Sequence, residues 1–175
     1  MYFHLNIHTM VNLIQAAYQS PKNEDLPSDG GAAQNAATLI FFCTLNEALL
    51  ENLLCELCRA KQLPTAVIAR LLSDNSRVCD RQGKLWVALT EKSWKWSIEK
   101  AGADDTCDYV RVNKFCADMQ VVRNKFVHRG ASHIVSRTMA ETCANEIWAV
   151  TSFYVALHNA VVHPLRIAEL KAKGS

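Results

Sequence analysis

Apolar residues recur along this chain at three- and four-residue intervals, the spacing of helices. Residues 3–19 carry Phe3, Ile7, Met10, Ile14 and Ala17 on one helical face. Residues 20–31 are polar and rich in Pro, Asp and Gly, so they predict a linker. A long helix follows over 32–62, with Leu45, Leu49, Leu53 and Leu57 as its core stripe and Pro64 marking its end. A short helix is expected at 65–72 and a loop at 73–76. Residues 84–100 read as one helix with Trp86, Leu89 and Trp96 on its apolar side, and 101–105 as a turn. The next helix, 106–129, stops at Gly130, a residue suited to the left-handed position after a helix end. The last helix, 136–162, has the cleanest stripe: Met139, Cys143, Ile147, Val150, Tyr154, Leu157 and Val161, closed by Pro164. Strand-like alternation appears only briefly, at 2–8. The expected fold is all-α, an up-and-down bundle of four core helices with extra short helices. Its divisions are an N-terminal helix and linker (1–31), the helical bundle (32–165) and a C-terminal tail (166–175).

Composition narrows the class. Half of the residues are hydrophobic, enough for a sizeable core in one domain. No uncharged apolar run approaches the roughly 18–20 residues that span a bilayer, and the start lacks the basic and apolar regions of a signal peptide. Seven Cys with no framework spacing predict free thiols in a reducing cytoplasm. Net charge is only +2, so no global polyanion-binding signature exists. Locally the balance differs. From Arg111 to Arg137 six basic residues (Arg111, Lys114, Arg123, Lys125, Arg129, Arg137) meet one acid, Asp118, a balance of 6 − 1 = +5. Such a patch fits a nucleic acid or nucleotide, or a solvated basic helix face.

The chemistry concentrates in the same stretch, Arg123-Asn124-Lys125-Phe126-Val127-His128-Arg129-Gly130. An Arg fork matches phosphate oxygens, and an imidazole moves protons near neutral pH. On a wheel of about 100° per residue, Phe115, Met119, Val122 and Phe126 form the expected core stripe. Arg111, Lys114, Asp118, Lys125 and Arg129 form a charged face. Ala117, Val121, Asn124 and His128 form a third, small and apolar apart from one amide and one imidazole, with Arg123 on its flank. A helix with two faces to bury can meet a second copy of itself, and a two-fold axis would bring two copies of Asn124 and His128 together. The plainer alternatives are a His128 cation stabilising a helix C-terminus and a surface ion pair for Arg123.

Other constellations are weaker. Cys55 and Cys58 have zinc-like spacing but no second pair at a matching distance, which favours core packing. His4 and His8 lie one turn apart without an evident third ligand. Trp94 and Trp96 stand at alternate positions, where one helix face cannot hold both, so packing is favoured over base stacking. No phosphate-binding loop or metalloprotease motif occurs in the sequence.

The Arg-Asn-x3-His run, ending the penultimate long helix and followed by Arg129-Gly130 and one more amphipathic helix, resembles the HEPN superfamily (higher eukaryotes and prokaryotes nucleotide-binding). Its upstream helix is similar too, through Thr44-Leu45-Asn46-Glu47-Ala48-Leu49-Leu50-Glu51. The resemblance covers 32–162. It implies a dimeric helical bundle and a metal-independent endoribonuclease, of the kind that serves as a prokaryotic toxin or phage-defence effector, with no cofactor. His128 would be the general base or acid, Arg123 the phosphate ligand, Asn124 an orienting group and Glu47 a supporting acid, with Glu51 the alternative on the same face. Lys125, Arg129 and Lys114 would bind RNA, and the products would be a 2′,3′-cyclic phosphate and a 5′-hydroxyl. The implied partners are the RNA substrate, a second copy and a cognate antitoxin or defence partner, with no membrane. Two other classes stay open: a HEPN-like dimer that binds nucleotide, RNA or protein without cutting, and a purely structural helical protein.

Overall fold

The computed structural model of the chain describes residues 3–19, 30–103, 107–129 and 134–173. Its helices are α1 (Phe3–Gln19), α2 (Gly30–Ala60), α3 (Thr65–Asp74), α4 (Val78–Asp80), α5 (Trp86–Thr90), α6 (Trp94–Gly102), α7 (Tyr109–Arg129), α8 (Arg137–Asn145), α9 (Ile147–Leu157) and α10 (His163–Lys173). π turns at Arg81–Leu85 and His158–Val162 lead into α5 and α10. The fold is all-α as expected: no strand occurs among the described residues. Of the linker expected at 20–31, residues 20–29 lie outside them, as does the stop at Gly130, while Gly30 and Gly31 belong to α2. The chain divides into two compact units, Met1–Asn46 with Val112–Val150 and Glu47–Arg111 with Thr151–Ser175.

α2 contributes to both units and carries an apolar stripe two residues wide. Leu39, Phe42, Cys43 and Leu45 are buried in the first unit, and Leu49, Leu50, Leu53, Leu54, Leu57 and Cys58 in the second. Such a stripe exceeds the narrow seam of a coiled coil and needs cover over a wide angle. By length and composition Gly31–Ala60 is apolar enough to cross a membrane, but more than half of that stretch is buried within the protein, as in a core helix. The helix ends in a Schellman motif. Leu63 N donates to Cys58 O at 3.1 Å and Gln62 N to Arg59 O at 2.9 Å, with Gln62 in the left-handed region at φ 59°.

In the first unit α1 packs on α8, bringing Val11 and Ile14 into a core with Ala140, Cys143, Ile147 and Val150. Phe42 of α2 meets Phe115 of α7 edge to face at 5.4 Å. Ser136 caps α8 by accepting from Met139 N at 3.2 Å, a contact worth about 1 kcal/mol.

The second unit departs from the expected pattern. The helix expected over 84–100 is broken. Glu91 adopts φ 59°, and Ser93 then caps a new helix by accepting from Trp96 N at 3.1 Å. Thr90 Oγ1 holds the break, donating to Trp86 O at 2.8 Å and accepting from Lys92 N at 3.2 Å. The break changes the register of the tryptophans. Trp94 turns inward, edge to face with Trp86 at 4.7 Å and with Phe153 at 6.1 Å, while Trp96, expected on the apolar side, is 41% exposed.

Pro164 does not close the last helix. Its ring lacks an N–H and would collide with the carbonyl four residues back in a regular α-helix. The π turn at His158–Val162 widens the backbone there, and α10 runs on to Lys173. The expected single helix over 136–162 is also interrupted at Glu146, yet Cys143, Ile147, Val150, Tyr154 and Leu157 stay buried.

Trp86 is fully buried, and its indole N–H donates to Ser97 Oγ at 3.0 Å, which donates onward to Ser93 O at 3.2 Å. A buried donor left without an acceptor costs about 1–3 kcal/mol. Ser97→Ala is therefore expected to lower Tm by about 2–10 °C in calorimetry; a change below about 1 °C would mean that the indole finds another acceptor.

Candidate functional site

α7 begins where Asp108 Oδ1 accepts from Arg111 N at 3.0 Å, an N-cap that sets the helix register. Its buried stripe is Tyr109, Val112, Cys116 and Met119, at spacings of three, four and three. This corrects the stripe expected from sequence: of Phe115, Met119, Val122 and Phe126, only Met119 is fully buried and the others are half-buried at its edge. Cys116 and Val112 are less conspicuous than phenylalanines, but they stand closer to the centre of the face.

Arg123 is the next position on that stripe, one turn beyond Met119. A guanidinium at the end of an apolar stripe buries its stem and keeps its head near water, and Arg123 is half-buried. Its Nη1 donates to Asn124 Oδ1 at 3.1 Å. Asn124 and His128, one turn apart, are both exposed, as are Ala117 and Val121. The four share the face drawn on the wheel, and Val121 is 52% exposed. Among the described residues no hydrogen bond or ion pair holds His128. Arg123 and His128 are five residues apart, which in an α-helix means about 140° around the axis and about 7.5 Å along it. They do not share a face.

The other expected residues are placed as follows. Lys114 is exposed and paired with Asp118 at 2.6 Å across one helical turn, so the local +5 resides on the other five basic residues. Lys125 is exposed on the same side, and the side chain of Arg129 lies outside the described residues. Arg137, at the far end of the basic stretch, lies over the Tyr18 ring at 4.3 Å. Glu47 is half-buried and belongs to the second unit. Glu51 pairs with the Arg81 guanidinium at 3.1 Å, and Arg81 Nε donates to Asn75 O at 3.0 Å. Glu51 is thus engaged by a residue outside the expected site.

Four thiols, Cys43, Cys58, Cys116 and Cys143, are buried in the core, and Cys79 is exposed. All seven cysteines are free. Burial, reinforced by Cys43, pushes the Cys116 thiol from 9.0 up to about 12, and burial raises Cys143 as well. Burial also raises Cys55 and Cys58. Among the described residues no three His, Cys, Asp or Glu side chains stand together as metal ligands. A second feature is the set Lys92, Trp96 and Lys100: Lys100 lies one turn beyond Trp96 on α6, and Lys92 precedes the helix, yet both ammoniums stand beside the Trp96 ring.

The chain matches no protein-family model, no curated protein and no solved structure, so its functional assignment rests on these residues and their geometry.

The thiol environments have a measurable consequence. An unfolded Cys116 ionises from about pH 9, whereas the folded one stays protonated to about 12. Its contribution to stability is complete below pH 9 and is lost as pH rises from there towards 12. At pH 8 iodoacetamide is expected to label exposed Cys79 and to spare Cys43, Cys116 and Cys143 until denaturant is added. Mass mapping of the alkylated peptides checks this; early labelling of Cys116 would mean that its helix opens locally.

Proposed function

We propose that this chain is a HEPN-like endoribonuclease that cuts RNA without a metal ion, working as a two-fold dimer of helical bundles. The observation that carries the reading is the end of α7, where Arg123 donates to Asn124 and exposed His128 stands one turn beyond that amide. His128 takes the proton of a ribose 2′-OH, the 2′ oxygen attacks phosphorus, and the bond to the 5′ oxygen breaks. The leaving oxygen receives a proton from a second acid, leaving a 2′,3′-cyclic phosphate and a 5′-hydroxyl. Arg123 stabilises the charge that develops on the phosphoryl oxygens, and Asn124 fixes the guanidinium. Positioned proton transfer accounts for about 10²–10⁴-fold. Glu47 carries no step in this scheme.

The divergence of Arg123 and His128 on one helix favours a site completed by a second copy. Ala117 and Val121 are small and apolar, so the exposed stripe suits close helix–helix approach about a two-fold axis. The partner's imidazole then supplies the acid. Lys125 and Arg129, with Lys114 after release from Asp118, hold flanking phosphates. A cytoplasmic toxin or phage-defence role, with an antitoxin or defence partner, follows from the resemblance alone. The modest net charge of +2 favours a second reading, in which a dimer of the same kind binds nucleotide or RNA without cutting it.

Purified protein is expected to cleave total cellular RNA in excess EDTA and leave cyclic phosphate ends by mass analysis, and His128→Ala to lower the rate at least 100-fold. Equal cleavage by both proteins would remove His128 from the chemistry. Val121→Arg is expected to give monomers by light scattering and to abolish cleavage together; an active monomer would sink the composite site.

A further inference from the structure

The second unit contains a cavity of about 210 Å³ lined by Lys61, Leu89, Lys92, Trp96, Val161 and Leu165, among others. We infer that it binds a nucleobase carrying a phosphate, with the base stacked on Trp96 and the phosphate held by Lys61 and Lys92. This inference does not depend on the cleavage reading: it concerns other residues and binding alone.

Three observations support it. The first is Trp96 itself, an amphipathic ring left 41% exposed at a cavity mouth, while Trp86 and Trp94 pack against each other in the same unit. The second is charge. The ammoniums of Lys92 and Lys100 stand 5.4 Å and 5.7 Å from the Trp96 ring centre, and Lys61 joins Lys92 in the lining. Lysines at the mouth repel a cationic guest and attract an anionic one. A lysine over a solvent-exposed ring is a weak contact that a stacked base outweighs, so an incoming base displaces one ammonium and frees it for the phosphate. The third is size. A cavity of about 210 Å³ falls below the roughly 300–1,000 Å³ that encloses a drug-sized molecule, so it takes one flat ring and leaves the remainder outside.

The cavity exists because of two departures from regular helix. The break at Glu91–Ser93 turns Trp96 outward. The π turn at His158–Val162 supplies Ala160 and Val161 to the lining, and such turns recur at functional sites. The polar groups of the lining are already engaged: Ser97 Oγ with Trp86 and Ser93, and Thr90 Oγ1 with Trp86 O and Lys92 N. Stacking and charge are therefore what the site offers, and it discriminates little between bases.

The test is titration of the full chain with a fluorescein-labelled single-stranded 2′-O-methyl hexanucleotide, which has no free 2′-OH to attack, followed by competition with AMP, adenosine and inorganic phosphate. Wild type is expected to bind oligo-A and oligo-U within a few-fold of each other. Trp96→Ala should weaken binding about tenfold or more, Trp96→Phe should retain most of it, and Lys61→Met with Lys92→Met should weaken it and flatten its salt dependence. Competition by AMP at low concentration would identify a free nucleotide as the ligand; competition by longer strands alone would identify one nucleotide of a strand. Undiminished binding by Trp96→Ala, loss of binding instead on Trp148→Ala (Trp148 is a tryptophan of α9 in the first unit, 57% exposed), phosphate competing as well as AMP, or adenosine competing as well as AMP would each overturn the assignment. Matching circular dichroism melts of the variants keep misfolding from imitating a loss.

Discussion

The width of the apolar stripe on α2 is the constraint to which the other elements answer. A helix that buries two adjacent positions per turn cannot be covered by one neighbour. Leu39, Phe42, Cys43 and Leu45 take cover in the first unit and the paired leucines from Leu49 to Leu57 in the second. At about 1.5–3 kcal/mol for each fully buried large apolar side chain, this one helix contributes more burial than any capping or ion-pair contact can match. Arg81 with Glu51, or Arg166 with Glu56, orient elements whose association is already favoured by burial.

The packing stripe of α7 ends in a guanidinium. Tyr109, Val112, Cys116 and Met119 hold the helix down, and Arg123 occupies the following position of the same register. Its guanidinium is thereby anchored through its stem, and it meets Asn124 at 3.1 Å. His128 lies on a different face, with Asn124, Val121 and Ala117 in the open. An anchored cation and an exposed imidazole diverging on one helix favour the proposal that catalysis needs two chains.

In the second unit, irregularity does comparable work. Glu91 in the left-handed region interrupts what the periodicity continues through, and the π turn before Pro164 lets the last helix continue past a residue that ordinarily stops one. Together they turn Trp94 inward, leave Trp96 partly exposed, and bring Trp96, Ala160 and Val161 into the lining of one cavity.

The sequence by itself determined the helical class, the α1 boundaries at 3–19, the burial of Leu45, Leu49, Leu53 and Leu57, and the exposed face of Ala117, Val121, Asn124 and His128. Those are local matters, set by a 3.6-residue period and by where polar side chains fall on it. It placed Met119 and Phe115 on the packed side of α7 but missed Val112 and Cys116, because phenylalanines outweigh them on a hydrophobicity count, whereas burial goes to whichever positions face neighbouring elements. It ran through the Glu91 break and stopped at Pro164, because a left-handed residue without glycine and a π turn leave little compositional trace. Only tertiary structure decided that Glu51 is engaged by Arg81, that Trp96 rather than Trp94 is exposed, and that a cavity opens beside it. Each depends on contacts between residues distant in the chain, which periodicity does not encode.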